Sequence, residues 1–445
     1  MTTDLPKKCL DTNVPITENM VLETIPSPDA EPEQGGALAF LQTKGIGPAD
    51  ELTLEPAKRL TIITGDNGLG KTFLLDCAWW ALTGLWADRQ ALPWSNKQAL
   101  KAEITFRIGG EGRASEGNAT LSFDWASLSW PRPKKRPIIP GLIVYARVDG
   151  SFAVWDPARP ANSADAKSVY TGAEVWDGLQ GRIEGLIRDW VLWQSNPEKH
   201  PYQTFISVLE ALSPPDLGPM KPGEPIRIPE DRREIPTIEH RYGTIPIVQA
   251  SAGVRRIITL AYLIVWAWNE HRIAAGHRRL EPQKRIVILV DEMEAHLHPR
   301  WQRMILPALL RVGGMLPLAP EIQFLVATHS PLVMASAETV FDDEIDSLVH
   351  FSLDEKSGRV ALEDTDFIRF GEASSWLTSS IFGLKHARSR EAEFAMEEAK
   401  TLQKQDHPSN AEVAVVSERL VRYLAEDDRF WPRWIAFAER YGVEL

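Results

Sequence analysis

Residues 65–72 read Gly-Asp-Asn-Gly-Leu-Gly-Lys-Thr, a spacing typical of loops that bind the phosphate groups of a nucleotide. Glycine tolerates backbone conformations that other residues avoid, so successive N–H groups of such a loop can converge on phosphate oxygens. Lys71 adds a positive charge near the β- and γ-phosphates, and the hydroxyl of Thr72 is placed to bind Mg²⁺. We therefore expect ATP and Mg²⁺ to bind here. The residues predicted to contact them are Gly65, Asp66, Asn67, Gly68, Gly70, Lys71 and Thr72.

Two acidic residues, Asp291 and Glu292, follow the apolar, β-branched residues 286–290. Such a run is typical of a buried parallel strand, and an ionised carboxylate at its end is costly unless it binds a cation or a reacting water. We predict that Asp291 binds Mg²⁺ directly or through a water, and that Glu292 polarises the attacking water. The alternative is a strand that runs into a solvated acidic turn.

His329 stands at the end of a second apolar stretch, residues 322–327, which also predicts a strand. Its side chain could hydrogen-bond the γ-phosphate. A lone histidine in this position is more often structural, so its role depends on the neighbouring motifs. The residues predicted to act in catalysis are Lys71, Glu292 and His329.

Ser251, Ala252 and Gly253 precede a long apolar segment, residues 254–268, which predicts a helix. The N-terminus of a helix presents free N–H groups and a partial positive charge to an anion. One molecule already has a phosphate-binding loop at 65–72, so a second such site is useful to a neighbouring molecule. We predict that Ser251 and Gly253 contact nucleotide held by another copy; the alternative is a plain helix cap.

Several elements must position these residues. Residues 60–64 predict a strand before the phosphate-binding loop, and residues 73–85 predict a helix after it. Alternating apolar and polar residues between 102 and 157 predict an antiparallel sheet with a tight turn at Asp149-Gly150. The predicted fold class is therefore α/β.

The remaining segments predict helices and one irregular loop. Residues 175–194 have apolar side chains spaced along one face, which predicts a helix. Residues 214–236 contain seven prolines and are typical of an extended, irregular loop. Residues 410–440 predict a single closing helix. The corresponding domain prediction is a flexible tail at 1–36, a head at 37–370 with an insertion at about 160–248, and a helical region at 371–445.

Composition excludes some classes of protein. The net charge of −12 and the pI of about 5.4 argue against a nucleic-acid footprint spread over the whole surface. One basic cluster, Arg132, Lys134, Lys135 and Arg136, is a candidate DNA contact, with a solvated loop as the alternative. The longest apolar stretch is shorter than the roughly 20 residues that cross a bilayer, so we expect no membrane segment. Two cysteines and no apolar signal sequence favour a cytoplasmic protein.

The four motifs, in this order, resemble the ABC-type ATPase heads of the RecF, SMC and OLD group. The resemblance implies a parallel P-loop sheet flanked by helices, an antiparallel β subdomain, a helical signature lobe and, here, a C-terminal helical extension. It also implies that the signature segment 251–256 of one subunit closes on the nucleotide held by the other. The signature departs from the transporter form, because Ala252-Gly253-Val254-Arg255 replaces its Gly-Gly-Gln part. Gln98 is the candidate for the glutamine that such heads place near the γ-phosphate.

Longer strings at 185–194, 212–225 and 290–303 resemble the stand-alone ATPases of bacterial anti-phage systems, the PtuA family of Septu. This resemblance implies a head-to-tail homodimer or a higher homo-oligomer that regulates a separate HNH-type nuclease. We predict no nuclease activity in the chain itself, because only about 100 residues follow His329 and the acidic run 342–346 is typical of a solvated loop. Two other functions remain open: a RecF-like DNA-repair ATPase that clamps DNA, and the ATP-binding subunit of a transporter.

Overall fold

The computed structural model describes residues 35–94, 101–110, 117–132, 139–159, 168–198, 200–213, 218, 220–240, 243–354 and 356–444. Three sequence predictions fall outside these residues: most of the tail at 1–36, the candidate Gln98, and the basic residues 134–136. No helix among the described residues has the length and apolarity needed to cross a bilayer.

The strands, in chain order, are β1 Ala37–Lys44, β2 Glu51–Leu54, β3 Leu60–Gly65, β4 Glu103–Gly109, β5 Ala119–Ser122, β6 Leu142–Ala146, β7 Phe152–Trp155, β8 Val169–Tyr170, β9 Lys221–Ile228, β10 Asp231–His240, β11 Gly243–Pro246, β12 Arg285–Val290, β13 Glu321–Ala327, β14 Asp346–Asp354 and β15 Arg359–Thr365. The helices are α1 Lys71–Thr83, α2 Gly172–Asp177, α3 Leu186–Gln194, α4 His200–Ala211, α5 Ala252–His277, α6 Pro299–Gln302, α7 Ile305–Arg311, α8 Pro331–Ala337, α9 Ala373–Leu377, α10 Arg390–Leu402, α11 Asn410–Tyr423 and α12 Trp431–Arg440.

The largest sheet among the described residues, the central sheet, has eight strands. Their order is β15-β14-β3-β13-β12-β6-β7-β8. The five strands from β14 to β6 are parallel, and the outer strands β15, β7 and β8 pair antiparallel. The carboxyl ends of β3, β12 and β13 therefore lie together at one edge. These are the strands that precede the phosphate-binding loop, Asp291 and His329.

Both faces of the central sheet are buried, as a parallel sheet requires. Ile62 and Ile288 belong to a core shared with α3, α4, α5, α7 and α8. Ile63 and Leu289 face the other way, toward α1 and the four-stranded antiparallel sheet β2-β1-β4-β5. The alternation of neighbouring side chains between two apolar cores explains why residues 286–290 are continuously apolar and why residues 60–64 combine apolar side chains with two buried threonines.

The antiparallel sheet predicted for residues 102–157 is only partly right. β4 and β5 join β1 and β2 in such a sheet, but β6 pairs parallel with β12 in the central sheet, and β7 pairs with β6. The reason is burial: all five residues of β6 are buried, as in an inner parallel strand, whereas β4 alternates.

The irregular loop predicted for residues 214–236 is wrong over most of its described length. β9 and β10 form a hairpin joined at Pro229-Glu230, and β11 completes a three-stranded sheet. Pro225 and Pro236 both fall where the pairing register shifts. Proline has no N–H to donate, so it is tolerated at such irregularities, and the proline count misled the prediction.

Two predicted helices are each divided in two. The predicted helix 175–194 is α2 and α3, separated by Gly178 and Gly185, both with φ of 89° and in close backbone contact. The predicted helix 410–440 is α11 and α12. Together with α10 these helices enclose a small hydrophobic core of their own, which includes Leu420 and Trp434.

The acidic run 342–346 is not wholly solvated. Asp346 is buried and forms a two-pronged ion pair with Arg59, at 2.9 Å from Nε and 2.5 Å from Nη2. This pair joins the start of β14 to the residue before β3, so one acid of the run has a structural role.

Candidate functional site

The phosphate-binding loop connects β3 to α1 at the carboxyl edge of the central sheet. Gly65, Gly68 and Gly70 have φ values of 138°, 82° and 109°, which side chains with a Cβ rarely adopt. A Cβ at Gly65 would lie 2.6 Å from the carbonyl oxygen of Phe351, and one at Gly70 would lie 2.6 Å from Cγ of Pro48. Gly65 and Gly70 are therefore fixed by both conformation and space, and Gly68 by conformation alone.

Lys71 lies under this loop and binds its backbone. Its Nζ donates to the carbonyl oxygens of Gly65 at 2.7 Å and Asp66 at 3.0 Å. The side chain is buried, and burial lowers the pKa of Lys71 while Glu292 and other nearby acids act in the opposite direction. Asp66, Asn67 and Gly68 form the exposed turn of the loop.

Thr72 and Asp291 meet across the edge of the sheet. The Thr72 hydroxyl donates to Oδ2 of Asp291 at 2.8 Å, although the two residues are 219 positions apart. Asp291 is 1% exposed, and its other oxygen, Oδ1, is buried without a hydrogen-bond partner among the described residues. Burial, the largest influence, raises the pKa of Asp291.

A buried carboxylate oxygen without a partner calls for an explanation, and a bound cation supplies one. A hydroxyl and a carboxylate are the oxygen ligands that Mg²⁺ prefers in nucleotide sites. Thr72 and Asp291 therefore fit the metal that the sequence predicts.

Glu294 organises the part of the site that carries His329. Its buried carboxylate accepts from the Thr328 hydroxyl at 2.7 Å and from the His329 backbone N–H at 2.6 Å. Nδ1 of His329 lies 3.1 Å from the same carboxylate, and the ring is partly exposed. Glu294 thus fixes the segment that carries His329. A third acid two positions after Glu292 was the available sequence signal.

Glu292 has an unusual backbone. Its φ is 45°, in the left-handed region that residues with a Cβ seldom occupy, and its side chain is partly exposed. The residue follows buried Asp291 and precedes buried Met293. The strained turn therefore brings Glu292 out at the edge of the sheet, beside Asp291, rather than into the core.

The end of β6 adds groups that the sequence analysis did not select. Burial raises the pKa of Asp76 on α1 to about 6, with Arg147 and Tyr145 acting in the opposite direction and Asp291 nearby. Arg147 follows β6, and its Nη1 donates to Ser151 at 3.1 Å. Because no local motif marks these residues, only the parallel pairing of β6 with β12 reveals their position.

The tip of α5 has a different environment. Ser251 caps the helix, its Oγ accepting from the Val254 N–H at 3.4 Å, and Ser251 and Ala252 are exposed. A Cβ at Gly253 would lie only 2.7 Å from the carbonyl oxygen of His296. Among the described residues, no hydrogen bond links Ser251 or Gly253 to the phosphate-binding loop.

Arg256 connects this helix to the site. Its Nη1 donates to the carbonyl oxygen of Arg147 at 2.7 Å, and its Nη2 donates to that of Asp291 at 3.3 Å. The structure thus brings Lys71, Thr72, Asp291 and His329 to one edge of the sheet, with the tip of α5 attached to that edge from the side.

Two family models match the chain. Residues 41–127 match one described as an AAA domain, and this stretch contains the phosphate-binding loop. Residues 196–335 match one described as "AAA domain, putative AbiEii toxin, Type IV TA system", and this stretch contains Ser251, Asp291 and His329. These two stretches therefore match ATPase domains of the AAA type, which supports the predicted resemblance to the ABC-type ATPases of the RecF, SMC and OLD group. The α/β fold class predicted for such an ATPase is confirmed.

Parts of this ATPase are similar to named proteins. A stretch of 50 residues is 42% identical to the Retron Vc95 probable ATPase of Vibrio cholerae serotype O1 biovar El Tor, over 11% of this chain and 9% of that protein. A stretch of 98 residues is 32% identical to the Septu protein PtuA of Bacillus mycoides (strain KBAB4), over 22% of this chain and 12% of that protein. The chain spans about a tenth of the length of the curated relatives that it matches. The SMC head domain from Thermotoga maritima is 15% identical, with 74% of this chain and 99% of that chain covered and a TM-score of 0.38.

Proposed function

We propose that this protein binds ATP with Mg²⁺, hydrolyses it between two copies of the chain, and thereby regulates a partner nuclease in anti-phage defence. The observation that carries the ATPase part is the contact between Thr72 and Asp291, which leaves one buried carboxylate oxygen available beside Lys71. The backbone of the phosphate-binding loop, the ammonium group of Lys71 and the metal-binding pair Thr72 and Asp291 then lie at one edge of the sheet.

The chemistry follows from these groups. The N–H groups of the loop and Lys71 hold the phosphates, and Thr72 with Asp291 holds the metal. Mg²⁺, when bound, neutralises charge that develops on the phosphate oxygens. Glu292 orients the attacking water and accepts its proton, and His329, held by Glu294, donates a hydrogen bond to the γ-phosphate.

The homodimer is proposed because the tip of α5 is exposed and has no described contact with the loop of its own chain. In a head-to-tail pair, Ser251 and the N–H groups that follow would bind the γ-phosphate held by the other copy. The predicted division places the ATPase head at residues 37–370 and a separate helical region at 371–445. The small core shared by α10, α11 and α12 supports a separate region from Arg390 onward, whereas Trp376 of α9 belongs to the core of the head.

Regulation of a nuclease is proposed from the resemblance to retron ATPases and to PtuA, together with the absence of any described cluster of three or more acidic, histidine or cysteine residues able to hold a metal ion. The test is co-expression with the small HNH-type protein, if any, encoded next to this chain. A stable complex whose DNA cleavage depends on ATP supports the proposal. An isolated ATPase that cleaves DNA by itself, or a neighbour that neither binds nor responds, contradicts it.

A further inference from the structure

The guanidinium of Arg256 bridges the ends of two neighbouring strands. One arm binds the carbonyl oxygen of Arg147, after β6, and the other binds that of Asp291, after β12. The Asp291 N–H also donates to the carbonyl oxygen of Ala146 at 2.9 Å. The backbone that carries Asp291 is therefore held on both sides, once by β6 and once by α5.

The charge of Arg256 makes this arrangement unusual. The side chain is partly buried, yet no ion pair joins it to a carboxylate among the described residues. Burial lowers the pKa of Arg256, while Asp291, Asp149 and Glu292 act in the opposite direction at longer range. Moving a cation out of water costs free energy, and two neutral carbonyls offset less of it than a carboxylate would. A purely structural bridge between two carbonyls would not need a charged group.

Arg256 lies within two helical turns of the residues proposed to act on the neighbouring copy. Ser251 and Arg256 are five residues apart, which is about 7.5 Å along a helix. Gly253, between them, packs against the carbonyl oxygen of His296 without room for a Cβ. His296 lies five residues after Asp291, in the same loop. Two contacts thus attach the tip of α5 to the segment that begins at Asp291.

We propose that Arg256 is a positioning residue that couples the tip of α5, which serves the nucleotide of the other copy, to the Mg²⁺-binding carboxylate of its own copy. This inference rests on the proposed function. A nucleotide that binds Ser251 from the neighbouring subunit shifts α5, and Arg256 passes that shift to the backbone of Asp291. The two sites of the dimer then respond to each other.

The test is Arg256→Lys, which keeps the positive charge but cannot donate to both carbonyls in the same geometry. The dissociation constant for ATP is measured on the full chain with Mg²⁺ and again with Mg²⁺ chelated. We expect the gain in affinity that Mg²⁺ gives the wild type to fall about tenfold in the variant, because partners behind a metal ligand commonly contribute 10- to 100-fold to metal affinity. Metal-free ATP binding should stay within about twofold of the wild-type value.

The matched control is Arg278→Lys. Arg278 follows the opposite end of α5 from Ser251, is exposed, and its Nη1 also donates to two backbone carbonyl oxygens, those of Pro157 at 3.4 Å and Ala158 at 3.2 Å. Its Mg²⁺ dependence should be unchanged. Arg256→Gln removes the charge but keeps one donor group. Its gain in ATP affinity from Mg²⁺ should fall at least as much as that of Arg256→Lys.

Three outcomes overturn the coupling. Arg256→Lys could keep the full gain from Mg²⁺. It could weaken metal-free and metal-bound ATP equally, with a lowered melting temperature, which is the result of a merely structural role. Third, the wild type could show no gain from Mg²⁺, in which case the proposed function fails together with the inference. The first two outcomes leave the proposed function standing, so the two failures are distinguishable.

Discussion

The phosphate-binding loop and the tip of α5 differ in how the chain holds them. Lys71 and Asp291 are buried and hydrogen-bonded within one molecule, whereas the side chain of Ser251 is exposed and, among the residues that the structure describes, bonds only to its own helix. The first region is organised before any ligand arrives, because its groups are fixed by neighbouring buried strands. The second region is directed at solvent. Under the proposed function, this contrast predicts that nucleotide binding needs one copy of the chain, while hydrolysis needs two.

Ser251→Arg separates the two regions most strongly. We expect the variant to bind ATP as the wild type does, within about twofold, and to lose hydrolysis completely, because a bulky cation blocks the helix tip from the nucleotide of the other copy. Phosphate release and nucleotide titration measure the two properties. The matched control is Ser389→Arg, since Ser389 caps α10 in the same way, its Oγ accepting from the Ala392 N–H at 3.2 Å. Normal hydrolysis by Ser251→Arg would show that the site is not shared.

Glu292→Gln tests the part of the proposed site that one copy of the chain supplies by itself. A glutamine keeps the shape of the side chain but cannot accept the proton of the attacking water. We expect turnover to fall by about 100- to 10,000-fold, the usual contribution of an acid–base group, with ATP still bound. Sedimentation with ATP should then detect a long-lived dimer. A variant that stays monomeric with ATP bound would argue against the two-copy arrangement, and one that turns over normally would remove Glu292 from the mechanism.

Lys71→Ala should weaken ATP binding by about 100-fold, or roughly 2.7 kcal/mol, which lies within the range for losing a buried, hydrogen-bonded charge. Titration with a fluorescent ATP analogue measures the loss. Lys44→Ala is the control, because Lys44 is an exposed lysine paired with Glu51 at 3.5 Å. If the two variants bind equally well, the loop does not hold the phosphates as proposed.

The anchoring of α5 affects the stability of the fold rather than nucleotide binding. Its buried Tyr262 donates to Oδ2 of Asp189 on α3 at 2.7 Å, and burial raises the pKa of Asp189 from 3.8 to about 6. Well below pH 3.8 the carboxyl is neutral in folded and unfolded chains alike, so its contribution to stability is complete there. As the pH rises from 3.8 to about 6, the unfolded chain releases the proton before the folded protein does, and that contribution is lost.

Asp189→Asn removes this dependence, because an amide still accepts from Tyr262 and does not ionise. Relative to the wild type, the variant should gain up to about 3 kcal/mol in the free energy of unfolding between pH 4 and pH 7. Urea unfolding at several pH values measures the difference. Parallel curves for the two proteins would mean that Asp189 titrates normally in the fold.

Local patterns in the sequence were sufficient to predict the parts of the fold that depend on neighbouring residues. The strand before the phosphate-binding loop, predicted at 60–64, is confirmed as β3 Leu60–Gly65, and the strand predicted at 286–290 is confirmed as β12. In both, a strand rich in apolar and β-branched residues ends at functional residues, and this pattern has few alternative explanations. The roles assigned to Glu292, His329 and Ser251 remain predictions.

Contacts between distant segments could not be predicted. Arg256 meets Arg147 across 109 positions, and Thr328 meets Glu294 across 34. No local spacing encodes either contact, because each depends on the order of strands in the central sheet. The hairpin of β9 and β10 was missed for a different reason: prolines at a register shift have the same sequence signature as prolines in a loop.

The left-handed backbone of Glu292 has a consequence for anyone who tries to make this protein more robust. Glycine or asparagine would occupy a φ of 45° with less strain, so a screen for thermal tolerance should favour them at this position. Either replacement would remove the carboxylate from the turn that orients it. Selection for heat resistance and selection for turnover should therefore choose different residues at position 292, and improving one property there sacrifices the other.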